Sequence, residues 1–300
     1  PRRGFLISAA IDKYVYVTII EPFSKGFFLK YSIQEKTNSL LSIKHPIIRE
    51  TLRLISPSIE KIELTTLADI PSGTGLGSSG SFTCALISAL YAKKGHYIDK
   101  QSLAELACEV EIEKLNQPIG KQDQYISAFG GINAITFKKD GNSLVTPLKL
   151  SNETIYDLED NLLLFFTGYS RKASDILKDQ EQKSISQDKE MFKNLDFIKS
   201  IGLESKKALE KNNLHEFAKL MHEHWNYKKQ RSKKISSHTI NDLYDIGFKN
   251  GALGGKLVGA GGGGFLMFYA NDKLNLRKVM KENGLTEVRF KFDYDGTKLF

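Results

Sequence analysis

The chain has 300 residues, 41% of them hydrophobic and 26% charged, which allows a sizeable core and gives two domains as a prior expectation. No apolar run reaches the roughly 20 residues of a membrane helix, and Pro1-Arg2-Arg3-Gly4 lacks the apolar core and small-residue cleavage site of a secretion signal. The net charge of +8 suits anionic ligands, and the two cysteines, Cys84 and Cys108, read as buried free thiols of a reducing, cytoplasmic compartment with no zinc-like spacing.

Residues 5–70 read mostly as strands. Residues 14–20 are rich in β-branched and aromatic side chains, and residues 27–31 or 61–64 are candidate partners. His45-Pro46 opens a helix through Arg49 to Leu54, with proline at an early position. After a loop at 71–79, Phe82, Ala85, Leu86, Ala89 and Leu90 recur at helical spacing. Ser102-Leu-Ala-Glu105 has the form of a capping box that starts a second helix, to about Asn116. Residues 132–137 read as a strand, and Lys138-Lys-Asp-Gly-Asn142 as the turn of a hairpin. Residues 151–160 are polar and read as irregular, so the domain boundary is placed there, giving 1–155 and 156–300. Residues 162–166 start the second part as a strand. Charged helical patterns then run from about Ala173 to Lys249, with Gly251 as a C-cap. A strand at 265–269, a helix at 274–283 and a last strand at 287–292 complete an α+β expectation for both halves.

Four stretches carry chemistry. The first is Pro71-Ser72-Gly73-Thr74-Gly75-Leu76-Gly77-Ser78-Ser79-Gly80-Ser81, which runs straight into a helix. Its glycines let the backbone turn and leave amides uncovered, and the helix start behind them favours an anion. The alternative is a flexible glycine-serine loop. It is not a Walker A motif, and its G-x-G-x-x-G string (Gly75, Gly77, Gly80) lacks the βαβ context of a dinucleotide fold. The second is Glu111, which points away from the stripe formed by Glu105, Glu109 and Glu113. A carboxylate on a half-apolar face needs a cation: magnesium, or a lysine such as Lys114. The third is Gly120-Lys121-Gln122-Asp123-Gln124-Tyr125, whose Asp123 is a base, a ligand or a turn-former. The fourth is Gly259-Ala-Gly-Gly-Gly-Gly264, which permits close backbone approach or forms a second phosphate-side loop. The basic run Lys228, Lys229, Arg231, Lys233 and Lys234 reads as a solvated helix face or as a contact for a substrate phosphate.

Together these stretches resemble the galactokinase, homoserine kinase, mevalonate kinase and phosphomevalonate kinase (GHMP) family. Residues 71–81 look like its second motif, Lys256-Leu257-Val258-Gly259-Ala260-Gly261-Gly262-Gly263 like its third, and Gly120-Lys-Gln-Asp-Gln124 like the stretch of its sugar kinases that holds a catalytic Asp. Within the family the heptose 7-phosphate kinases are most similar. Ala10-Ile-Asp-Lys-Tyr14, Thr167-Gly-Tyr-Ser-Arg171, His222-Glu-His-Trp225 and Phe290-Lys-Phe-Asp293 carry that similarity. The resemblance implies a two-domain GHMP kinase fold, with an N-terminal ribosomal-protein-S5-like domain, a C-terminal ferredoxin-like domain and the site between them. It implies ATP and Mg2+ as cofactors and a sugar or sugar phosphate as substrate, with no nucleic acid, no membrane and a homodimer as an open option. Gly73, Gly75, Leu76, Gly77, Ser78, Ser79, Gly80 and Ser81 would hold the nucleotide, and Ser79 with Glu111 the magnesium. Asp123 would be the base, with Arg171 (and Lys172 beside it), Gly261 and Gly262 at the substrate. The family's first motif continues from Pro-x-Arg into a glycine-rich segment, whereas Gly4-Phe5-Leu6 follows Arg3 here. The expectation is that a loop is missing between Arg3 and Gly4 and that Arg3 is the family's catalytic arginine. A nucleotide-binding regulator without catalysis, a kinase for a galactose- or fucose-like sugar, and a nucleic-acid-binding protein are the alternatives.

Overall fold

The computed structural model describes residues 4–168, 177, 189–232 and 234–300. Arg3, Arg171, Lys172 and Lys233 lie outside these. In chain order the elements are β1 (Gly4–Ala9), β2 (Val15–Ile20), β3 (Gly26–Lys30), β4 (Gln34–Thr37), α1 (Pro46–Ile55), β5 (Lys61–Ala68), α2 (Ser78–Lys93), α3 (Lys100–Cys108), α4 (Gln122–Phe129), β6 (Ile132–Phe137) and β7 (Ser143–Pro147). Then come α5 (Asn152–Asn161), β8 (Leu162–Phe166), α6 (Lys189–Glu210), α7 (Leu214–Lys229), α8 (His238–Lys249), β9 (Ala252–Leu257), β10 (Phe265–Ala270), α9 (Lys273–Glu282) and β11 (Thr286–Glu287). By their contacts the residues divide into two compact units that interleave along the sequence. The first unit takes residues 10–72, 77–131 and 293–300; the second takes 1–9, 73–76 and 132–292.

The first unit is built on a four-stranded sheet in the order β2-β5-β3-β4. Both candidate partners of residues 14–20 are in this sheet, but β2 pairs with β5 alone, and β3 lies parallel to β5. Alternate residues of the strands share a face. Val15, Val17, Ile19, Phe27, Leu29, Ile62 and Leu64 therefore meet Ile48 and Leu52 of α1 and Phe82, Leu86 and Leu90 of α2 in one core. Pro46 opens α1, and the His45 imidazole before it accepts from the Ile48 amide at 3.4 Å. The start of α3 differs from the expected capping box. Its N-cap is Asp99, whose carboxylate accepts from the Ser102 amide (3.0 Å) and hydroxyl (2.6 Å), so Ser102 is already inside the helix. Cys84 and Cys108 are both buried, free thiols.

The second unit holds an antiparallel sheet in the order β11-β8-β10-β9 and a three-stranded sheet β1-β6-β7. Leu266, Phe268 and Ala270 of β10 face one core with Trp225, Leu243, Tyr244 and Leu276. Met267 and Tyr269, on the other face, meet Ile132, Ala134, Leu158, Ala218 and Met221. Burying each large side chain of this kind contributes about 1.5–3 kcal/mol. Three expectations change here. Residues 152–161 form α5, because Ser151 accepts from the Thr154 amide at 3.1 Å and Thr154 and Leu158 find an apolar core to enter. Asn250 caps α8, with Gly251 one residue later at φ +111°. The final strand is only two residues long, paired with Phe165 and Phe166.

Candidate active site

Within the first unit, the start of α2 packs directly on the start of α4. Gly77 takes a left-handed φ of +76° to bring the loop into α2. A Cβ on Gly77 would come 3.3 Å from the Asp123 side chain, and one on Gly80 would come 2.9 Å from the Asp123 carbonyl carbon and 3.0 Å from the Gln124 amide. Glycine at these two positions is what lets Asp123 lie against the helix start. The first amides of α2 have no partner within the helix, so their positive ends are available to an anion. Ser78, Ser79, Gly80 and Ser81 make up that first turn. Ser81 shares a hydroxyl contact of 2.9 Å with Ser127, which donates to the Asp123 carbonyl at 2.7 Å.

Glu111 is fully buried in the same unit. It is presented by a π-helical turn at Glu109–Lys114 that interrupts the expected continuous helix and ends the stripe of Glu105, Glu109 and Glu113. Lys114 pairs with Glu109 at 3.0 Å, not with Glu111. Ser79 Oγ donates to Glu111 Oε1 instead, and Gln124 Nε2 donates to Oε2 at 2.6 Å. Burial pushes the Glu111 carboxyl up, while the bonds from Ser79, Gln124 and Thr83 favour its charged form. Burial, and then the Glu111 charge, raise Asp123 to about 6. Among the described residues no side chain donates to the Asp123 carboxylate.

Hard oxygen donors suit magnesium, which takes one or two carboxylates plus phosphate oxygens. Ser79 Oγ and the Glu111 carboxylate are such a pair. Beside them the Gln124 Oε1 atom is buried without a hydrogen-bond partner. These residues fit a small hard cation, although among the described residues no group of three or more His, Cys, Asp or Glu side chains gathers.

In the second unit, Gly73–Leu76 lies against the glycine run. A Cβ on Gly259 would come 2.7 Å from Gly75, and one on Gly264 would come 2.0 Å from the Thr74 carbonyl oxygen. Gly261 would meet the Ile235 carbonyl at 2.7 Å, and the Gly262 amide donates to that same oxygen at 2.7 Å. Close backbone approach therefore accounts for Gly259, Gly261 and Gly264, and the Gly262 amide is engaged within the chain. Lys228 is buried, which rules out a solvated face for that residue. The structure thus gathers Gly77, Ser78, Ser79, Gly80, Ser81, Glu111 and Asp123 in one unit, and Gly73, Gly75 and Leu76 with Gly261 and Gly262 in the other. Gln124 was missed in the sequence: of the amides in the 120–125 stretch, only the fold shows which one turns to Glu111.

Comparison with known proteins adds to this geometry. A family profile described as GHMP kinases N terminal domain matches residues 44–131, and one described as GHMP kinases C terminal matches 205–284, together more than half of the chain. A D-glycero-alpha-D-manno-heptose 7-phosphate kinase of Campylobacter jejuni is 29% identical, over 98% of this chain and 90% of the relative. A bifunctional fucokinase/GDP-fucose pyrophosphorylase of Arabidopsis thaliana is 25% identical over 96% of this chain, which spans 30% of that larger protein. Among solved structures, a D-glycero-D-manno-heptose 1-phosphate kinase from Bacteriodes thetaiotaomicron superimposes with a TM-score of 0.79 at 24% identity, over 99% of this chain and 91% of that one.

Proposed function

This chain belongs to the GHMP kinase family and is a phosphotransferase, and from that premise we propose that it moves the γ-phosphoryl group of ATP to the anomeric hydroxyl of a sugar. D-glycero-D-manno-heptose 7-phosphate is the first acceptor we assign, giving the 1,7-bisphosphate, and the relative from Campylobacter supports that choice. The observation that carries the reading is Asp123: a carboxylate raised to about 6, set on Gly77 and Gly80 at the start of α2. A base of that strength is charged at neutral pH yet strong enough to accept a hydroxyl proton.

In the mechanism, the amides at the start of α2 cradle the nucleotide phosphates. The acceptor hydroxyl gives its proton to Asp123 as its oxygen attacks the γ-phosphorus. The bond from that phosphorus to the β,γ-bridging oxygen breaks, and ADP leaves. Ser79 and Glu111 would hold magnesium, which when bound neutralises charge on the phosphate oxygens. Gln124 and Ser127 fix the Glu111 and Asp123 positions, so positioning and charge carry most of the catalysis.

The test is ADP release with ATP and magnesium over a panel of free and phosphorylated sugars. Turnover on heptose 7-phosphate is expected. Preference for galactose or fucose would move the acceptor within the family. Bound ATP with silence across the panel would replace the enzyme reading with that of a regulator.

A further inference from the structure

The four-stranded sheet of the first unit ends in two unlike edges. β4, at one edge, is the short segment Gln34–Thr37, with Glu35 and Lys36 inside it. Shortness and charge are what keep an exposed edge from pairing with another chain. β2, at the other edge, carries no charge. It runs Val15-Tyr16-Val17-Thr18-Ile19-Ile20, without proline or glycine, and pairs with β5 over its whole length without a bulge. Tyr16 and Ile20 are exposed, as is Leu67, which lies opposite Tyr16 on β5.

The pairing fixes which backbone groups of β2 face outwards. The Asp69 amide donates to the Tyr14 carbonyl at 3.0 Å and the Tyr14 amide to the Asp69 carboxylate at 2.9 Å, so both backbone groups of Tyr14 turn towards β5. Successive residues of an antiparallel strand turn alternately. Tyr16, Thr18 and Ile20 therefore bond to β5, while the amides and carbonyls of Val15, Val17 and Ile19 point out of the sheet. The far side of β5 keeps the same alternation. There the Gly26 amide donates to the Glu60 carbonyl at 3.0 Å, so even-numbered residues face β3 and odd-numbered ones face β2. Among the described residues β2 has no second strand beside it. Such an outward row of donors and acceptors is a template for another strand.

We propose that β2 is the interface at which two copies of this chain join, antiparallel, about a two-fold axis through Val17. In this register the edge is complementary to itself. Val17 meets Val17 of the second copy and Val15 meets its Ile19, so each outward amide of these residues finds an outward carbonyl. On the exposed face Tyr16 lies opposite Thr18 and Tyr14 opposite Ile20, aromatic against β-branched. Continued to the flanks, the same register sets Lys13 of each copy against Glu21 of the other. Lys13 also pairs with Asp12, and Glu21 with Lys61 and Lys93, within their own chain. A shift of two residues either way would set Lys13 against Ile19 or Phe23 and remove both of the new charge pairs. An unrelated extended peptide would use the same backbone groups without this charge match. The proposal does not depend on which acceptor the enzyme uses.

The experiment sediments the full chain over a dilution series, as the wild type and as Val17→Pro. The Val17 amide points outwards, so proline there removes no bond to β5, and an edge strand tolerates it. The wild type should sediment as a dimer. Val17→Pro should fold and sediment as a single chain, its dissociation constant raised about tenfold or more by the lost intermolecular bonds. A wild type that stays a single chain throughout overturns the proposal, as does a folded Val17→Pro that dimerises as tightly as before. Species larger than a dimer overturn the two-fold, which closes once two copies meet. If Val17→Pro fails to fold, as melting will show, Val17→Cys and Thr18→Cys answer under mild oxidation, since Cys84 and Cys108 are buried. The two Val17 positions would be about 5.5 Å apart at Cα, within reach of a disulfide, and the two Thr18 positions about 7–8 Å apart, beyond it. Val17→Cys should link two chains and Thr18→Cys should not. No link at 17 overturns the interface, and a link at 18 overturns the register.

Discussion

The Asp123 carboxylate is poorly solvated. Its neutral form is favoured by burial and by Glu111 in the folded protein. The folded chain therefore binds a proton more tightly than the unfolded chain between the ordinary aspartate value near 4 and about 6. Stability from this group is present below that window and lost as pH rises through it. Replacing Asp123 with Asn should lower kcat by about 10²–10⁴-fold. ATP binding should persist, and the variant should melt at a higher temperature than the wild type at pH 7. Calorimetry and steady-state kinetics read both effects; unchanged turnover rejects the base. In the wild type, kcat/KM should fall as pH drops through about 6, because the base is then protonated. Asp123 and Glu111 were both candidates in the sequence, Glu111 from its place opposite the stripe of Glu105, Glu109 and Glu113, and Asp123 from the resemblance of residues 120–124 to the family's sugar kinases. Gln124 was not, since its bond to Glu111 joins residues 13 apart on separate elements and depends on the intervening turn.

At the scale of elements, the site depends on how closely α2 and α4 approach. In an open helix, Gly80→Ala would stabilise by about 0.5–1 kcal/mol. Here the added methyl would press on the Asp123 backbone at 2.9 Å. Overpacking of this kind costs about 1–3 kcal/mol, so the net sign should reverse. Denaturant titration should show the loss, and kcat should fall with it as Asp123 is displaced. The same scale shows where sequence reading stopped. Apolar periodicity located α2, β8 and β10, because their cores impose it. It missed α5, whose polar face outweighs Thr154 and Leu158, and it ran α3 through the π-helical turn, because one extra residue in a turn leaves no compositional trace. Residues 287–292 have strand chemistry, yet the strand itself covers Thr286 and Glu287, with the Val288 amide bonded to the Leu164 carbonyl just beyond it.

For the whole molecule, the two compact units are a division by contacts, whereas the proposed domains 1–155 and 156–300 are a division by position in the chain. The two do not coincide, because β1 and β6 share a sheet and, with the sheet of β8 to β10, help form one core of the second unit. A fragment ending at residue 155 should therefore be insoluble or unfolded. It would keep Ile132 and Ala134 but lose Ala218, Met221 and Tyr269, and circular dichroism of the expressed fragment checks this. The described residues contain no helix long and apolar enough to cross a membrane. Trp225, the chain's one tryptophan, is fully buried in the second unit, with Lys229 Nζ 5.5 Å from its ring. It stands one residue from His224 and three from Lys228. The molecule thus carries an intrinsic optical probe at the end of α7. Its emission should be blue-shifted in the native state and move to the red as this core unfolds, so the integrity of the second unit can be followed by fluorescence with no added label.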